Sequence, residues 1–179
     1  YQPSPHFLSN ALNSVNALIE MKQGELAQQT VVKISKFLRY LLDHDVEARV
    51  TVKQEITALL FYLDIEKVRF GERLTIDLNV DKSAENGLIP NLLFQPIVEN
   101  SIKHALSKSE DGGTLHVFVQ LHNGLLNIEL SDSGKGVIAN AAINQERENR
   151  SIGMDNINSR LEAIYANRYN LSYAINDGR

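Results

Sequence analysis

Apolar residues recur at three- and four-residue steps through residues 8–70. Leu8, Ala11, Leu12, Val15, Leu18 and Ile19 set one stripe. Leu26, Ile34, Phe37, Leu38, Leu41 and Leu42 set a second, and Val52, Ile56, Leu59, Leu60 and Leu63 a third that runs to about Phe70. This period predicts three amphipathic helices, punctuated by Gly24, by Asp43-His44-Asp45 and by Gly71. Helices this short bury their stripes only against one another, so the pattern predicts a helical hairpin or bundle. After Gly71 the period changes to two. Leu74, Ile76, Leu78 and Val80 alternate with polar residues, as do Leu115, Val117, Val119 and Leu121, then Leu126, Ile128 and Leu130. Each run predicts a half-buried strand, and Asn123-Gly124 predicts a tight hairpin between the last two. Leu171, Tyr173 and Ile175 suggest a further strand. Helical patterns at residues 90–106 and 152–167 interrupt the strands, so an α+β part with one sheet face covered by helices should follow the helical part.

Composition narrows the chemistry. The chain has 179 residues, 43% of them hydrophobic, which is enough for a real core. Eighteen Lys and Arg against 22 Asp and Glu give a net charge of −4, which argues against direct nucleic-acid binding through a broad basic face. The absence of cysteine excludes disulfides, thiolate metal sites and cysteine nucleophiles. No apolar run approaches the roughly 18 residues of a membrane span. The opening, Tyr1-Gln2-Pro3-Ser4-Pro5-His6, has neither initiator Met nor signal peptide and reads as part of a longer chain.

Four short stretches can carry chemistry. In residues 95–105, Asn100, Lys103 and His104 fall at i, i+3 and i+4 and share a helix face. A carboxamide oxygen is a neutral hard ligand for Mg²⁺ and an ammonium is a point charge for phosphate. The same stretch also reads as a solvated face with a Glu99–Lys103 pair. Asp132-Ser133-Gly134-Lys135-Gly136 closes a strand with a carboxylate and two glycines, suiting either close backbone approach to a ligand or an ordinary turn. Ser151-Ile152-Gly153 opens either a helix whose first amides can face a phosphate or an ordinary capped helix, and residues 137–150 between the two glycine stretches read equally as a lid or as a helix-containing surface loop. His6 opens the first helix, and a neutral imidazole is an available nucleophile at neutral pH.

The order of these stretches is more specific than any one of them. With Gln2–Asn13, Phe37–Leu41, Tyr62–Leu74, Ile89–Leu106, Asp132–Gly136 and Ser151–Leu161 in sequence, the chain resembles the LytS/YehU type of sensor histidine kinase. The resemblance implies an N-terminal helical dimerisation and phosphoacceptor region at residues 1–71. It implies a Bergerat (GHKL) ATP-binding domain, a two-layer α/β sandwich with a mixed sheet, at 72–179, its last strand truncated. Matched motif by motif, it makes His6 the phosphoacceptor, Asn100 the Mg²⁺ ligand and Lys103 a phosphate contact. Glu99 and His104 would line the same site, Asp132 would read adenine beside Gly134 and Gly136, and Gly153 and Asn156 would belong to the second glycine box. ATP and Mg²⁺ are the implied ligands. A response regulator, of the LytTR DNA-binding type in many members, and a second copy of the chain are the implied partners. The implied setting is the cytoplasmic end of a protein anchored in the bacterial plasma membrane by a region upstream. Pro3, Ser4, Ser9 and Ser151 depart from the family pattern, which has a small or aliphatic residue, Asn, Phe and Gly there. Pro3 and Ser9 keep an alternative open, a nucleotide-gated interaction module without phosphotransfer.

Overall fold

The computed structural model describes residues 5–43, 49–103, 109–133, 159 and 161–163, with the backbone alone for residues 5 and 6. Helices α1 (Pro5–Glu20), α2 (Gly24–Asp43) and α3 (Val52–Phe70) occupy the three stripes. They pack through a trio of rings. Phe7 meets Phe37 edge-on at 5.4 Å and Tyr62 at 4.9 Å, and Phe37 lies 5.9 Å from Tyr62. Each aromatic contact adds about 0.5–1.5 kcal/mol beyond the area it buries. Phe7 thereby clamps the first turn of α1 onto both other helices. The stripe on α1 is narrower than its periodicity predicts. Ala11, Val15 and Leu18 are buried with Phe7, whereas Leu12 and Ile19 are each 58% exposed.

A capping box starts α3: the Gln54 amide donates to Thr51 Oγ1, and the Thr51 amide donates to Gln54 Oε1. Gly71, at φ +55°, ends it. Two three-residue strands, β1 (Arg49–Thr51) and β3 (Leu88–Pro90), pair antiparallel just before α3 and just before the next helix. They are too short to leave a periodic signal and join segments far apart in sequence.

The main sheet is mixed. Strand β2 (Leu74–Val80) runs parallel to β4 (Gly113–His122), and β4 runs antiparallel to β5 (Leu125–Asp132). Asn123 and Gly124 both take positive φ, as the two-residue turn between β4 and β5 requires. Gly112, at φ +76°, lies so close to the Arg73 carbonyl that a Cβ would overlap it. In register, Ile76, Leu78 and Val80 align with Leu115, Val117 and Val119, and Val117 and Val119 align with Leu130 and Ile128. This apolar face packs under helix α4 (Phe94–Ser101), whose Phe94 and Val98 belong to the same core as Phe7 and Leu59. Asp132 pairs with Leu115, so it closes the row on the helix-covered face. No described helix is long and apolar enough to cross a membrane.

Candidate functional site

Helix α4 begins four residues later than the pattern at 90–106 predicts, for a local reason. Pro90 belongs to β3, and Leu92, buried and not glycine, sits at φ +55°. A left-handed leucine costs about 1–2 kcal/mol. The arrangement is held by Glu55 of α3, which is 1% exposed. The Leu92 amide donates to Glu55 Oε2 at 2.8 Å and the Phe94 amide to Oε1 at 2.9 Å. One carboxylate thus satisfies two amides at the start of α4 and places negative charge where the helix dipole favours it. Tyr40's own burial and, to a lesser degree, the Glu55 charge push the Tyr40 phenol up to about 12.

So anchored, α4 faces α1 and α3 across a cleft of about 190 Å³. Phe7 and Asn10 line it from α1, Tyr62, Glu66 and Arg69 from α3, and Glu99 and Asn100 from α4, with Ile102 and Lys103 just beyond. Asn100 is half-buried and Lys103 exposed, and Glu99 accepts a 3.1 Å hydrogen bond from Gln95 Nε2. His6 lies in the first turn of α1, next to Phe7. Whole-ligand pockets run to about 300–1,000 Å³, so this cleft suits one end of a large ligand.

Glu66 is the unusual charge here. Its side chain is 5% exposed, and its Oε2 lies 3.6 Å from Arg69 Nη1 with no hydrogen bond. Burial pushes its carboxyl above the ordinary glutamate range, opposed by Arg69 and Tyr62 and reinforced by Glu99. The folded chain therefore holds the Glu66 proton more tightly than the unfolded chain. Glu66's contribution is fully present below the unfolded value of about 4.3 and is lost as pH rises through the folded value. Glu66→Gln removes this loss. Urea unfolding at about pH 5 and about pH 8 should show the variant gaining on wild type at the higher pH. An equal difference at both pH values would contradict the buried acid.

The structure brings Glu99, Asn100 and Lys103 together as their helical spacing predicts, and sets Asp132 at the end of β5, on the sheet face that α4 covers. His104, Gly134, Gly136, Gly153 and Asn156, the 137–150 stretch, the strand at 171–175 and most of the helix at 152–167 lie outside the described residues. Ser9 is exposed on α1. Among the described residues no cluster of three or more His, Asp or Glu is placed to hold a metal. Asn10 lies in the matched stretch Gln2–Asn13, and Glu66 and Arg69 lie in Tyr62–Leu74, without an assigned role there. Their signal is positional, because Glu55 and Glu66 occupy core-period positions with Val52, Leu59, Tyr62 and Phe70, all buried. A charge at a core position of an amphipathic helix needs a partner.

Comparison with known proteins is consistent along the chain. The histidine kinase family model matches residues 1–74. The sensor histidine kinase BtsS of Escherichia coli K12 is 35% identical over 174 residues, covering 97% of this chain and 29% of that protein. The sensor histidine kinase YpdA of the same strain is 32% identical over 166 residues, 90% of this chain and 29% of its own length. The sensor protein LytS of Staphylococcus epidermidis is 32% identical over 138 residues, 77% of this chain and 23% of its own. The chain thus spans less than a third of the length of these relatives.

Proposed function

The chain belongs to the sensor histidine kinase family, and we propose that it is the catalytic portion of a two-component kinase that phosphorylates its own His6 from Mg-ATP. One observation carries the reading: α1, which bears His6, faces α4, which bears Asn100, across a cleft sized for one end of a nucleotide. In the same proposal residues 1–71 form the phosphoacceptor and dimerisation region and residues 72–179 a GHKL domain. Asp132, Gly134, Gly136, Gly153 and Asn156 hold the nucleoside end, with Glu99 and His104 beside the phosphates.

The residues present fit a magnesium triphosphate. Mg²⁺ needs only one or two protein oxygens when phosphates and water complete its shell, and Asn100 offers a neutral one. A magnesium ion held there by Asn100 would supply charge neutralisation of the triphosphate. Lys103 adds a cation to the cleft lining, and Phe7 holds the first turn of α1, which carries His6, in place. A neutral imidazole nitrogen of His6 attacks the γ-phosphorus in line. The bond to the β–γ bridging oxygen breaks, its electron pair leaves with ADP, and the far ring nitrogen releases its proton to solvent. The phosphoryl group then passes to an aspartate of a response regulator, here proposed to be of the LytTR type. Leu12, Ile19, Val31 and Val32, exposed by 46–58%, support a second copy as the covering partner. Full-length protein anchored in the plasma membrane, with this portion in the cytoplasm, completes the proposal.

Incubation with γ-labelled ATP and Mg²⁺ tests it. Wild type should acquire acid-labile label, and His6→Gln should bind ATP but take up none. Label that persists in His6→Gln overturns the assignment of His6. ATP binding without any label in wild type supports the nucleotide-gated module instead.

A further inference from the structure

Arg69 reaches the same cleft as Asn100 and Lys103, but from α3 on the opposite wall. Its guanidinium is held from two directions. Nη1 stands 3.6 Å from Glu66 Oε2, and Cζ lies 4.2 Å from the centroid of the Phe70 ring. The side chain nevertheless keeps 27% of its surface exposed. Among the described residues no hydrogen bond occupies its five N–H donors.

Glu66 points to the same conclusion independently. It is 95% buried by its 5% exposure, its Oε2 accepts no hydrogen bond, and it lines the cleft. Tyr62 hydrogen-bonds this carboxyl, yet leaving Oε2 buried without a hydrogen bond is unfavourable. A pair kept only for stability would close to hydrogen-bonding distance, as fork-shaped guanidinium–carboxylate pairs do at about 2.7–2.9 Å. At 3.6 Å the carboxylate attracts the guanidinium without closing a hydrogen bond to it, and Arg69 lines the cleft.

We infer that Arg69 is a catalytic residue that donates to the equatorial oxygens of the γ-phosphoryl group as it passes from nucleotide to α1, with Glu66 as its positioning residue. The inference rests on the kinase reading above. A planar cation on the wall opposite Asn100 donates best to those oxygens when they take up the planar equatorial arrangement of the transition state. Lys103 is a flexible point charge and cannot supply the same two-pronged contact. Arg69 neither gains nor loses a proton, and the bonds made and broken are those given above.

The test is single-turnover labelling of the 179-residue chain at saturating γ-labelled ATP, with ATP affinity measured separately. Arg69→Ala should lower the labelling rate about 100-fold or more while changing ATP affinity by no more than about threefold. Millimolar guanidinium should restore part of the rate, which a structural role would not allow. Arg69→Lys, which keeps the charge, decides the matter if the alanine variant does not fold, and should still lose at least about tenfold. A folded variant that labels within about threefold of wild type overturns the role of Arg69 and leaves the kinase reading standing. Wild type that takes up no label overturns both.

Discussion

Asn100→Asp should abolish labelling of the chain by γ-labelled ATP and weaken Mg-ATP binding by at least about 100-fold, with a melting temperature within about 4 °C of wild type. The substitution exchanges one NH₂ group for a charged oxygen at nearly constant volume. Asn100 is half-buried on α4, beside Glu99 and across the cleft from Glu66. A second carboxylate on that wall meets a polyanionic triphosphate. At about 4 Å and an effective dielectric of about 20, two like charges repel by about 4 kcal/mol, near a thousandfold in affinity. An aspartate can itself ligate Mg²⁺, which offsets part of this, so the bound set at 100-fold is the smaller. The fold should notice little. Asn and Asp have similar helix propensities, and a negative charge near the end of α4 costs at most about 1 kcal/mol against the helix dipole, or about 2–4 °C in a chain of this size. Isothermal titration with Mg-ATP and a thermal melt on the same sample separate the two effects. Retained affinity within about threefold would remove Asn100 from the metal site.

What the sequence made legible, and what it hid, follows from how far each signal reaches along the chain. The stripes on α1, α2 and α3 and the alternation in β2, β4 and β5 are local, and each sits where its period predicts. The Asn123-Gly124 turn is local too, because only a residue tolerant of positive φ can stand at both positions. The β1–β3 pair is invisible because three residues carry no period and their partners lie about forty positions apart. Leu12 and Ile19 fit the helical spacing yet are exposed, since three helices of a single copy cover only part of each stripe. At the candidate site, Glu99, Asn100 and Lys103 were legible because one helical turn brings them together. The meeting of Asn10, Glu66 and Arg69 with them was not, because only the packing of α1 and α3 against α4 makes them neighbours. The two buried glutamates of α3 have no role in the periodic pattern, and only tertiary contacts engage them, Glu55 with the α4 amides and Glu66 beside Arg69.

The anchor gives the largest stability effect expected in the chain: Glu55→Ala should lower the free energy of unfolding by about 3–5 kcal/mol, or its melting temperature by roughly 10 °C or more. Truncation strips the acceptor from two amides, Leu92 and Phe94, at a site where the side chain is 1% exposed and water does not readily replace it. Each orphaned donor costs about 1–3 kcal/mol. The positive φ of Leu92 then loses the contact that holds it, so the strain is relieved by movement of the α4 start rather than borne. Glu55→Gln retains one acceptor oxygen and presents an NH₂ group to the other amide, so its loss should fall between alanine and wild type. Urea unfolding of both variants checks the order. The functional consequence should exceed the stability loss. Because Glu55 belongs to α3 and its partners open α4, the same contact fixes Asn100 relative to Arg69 across the cleft. Glu55→Gln, still folded at room temperature, should therefore lose labelling rate more than ATP affinity, since a misplacement of about 1 Å between reacting groups costs about 100-fold. Equal losses in rate and affinity would mean that Glu55 holds α4 together without aligning the two walls.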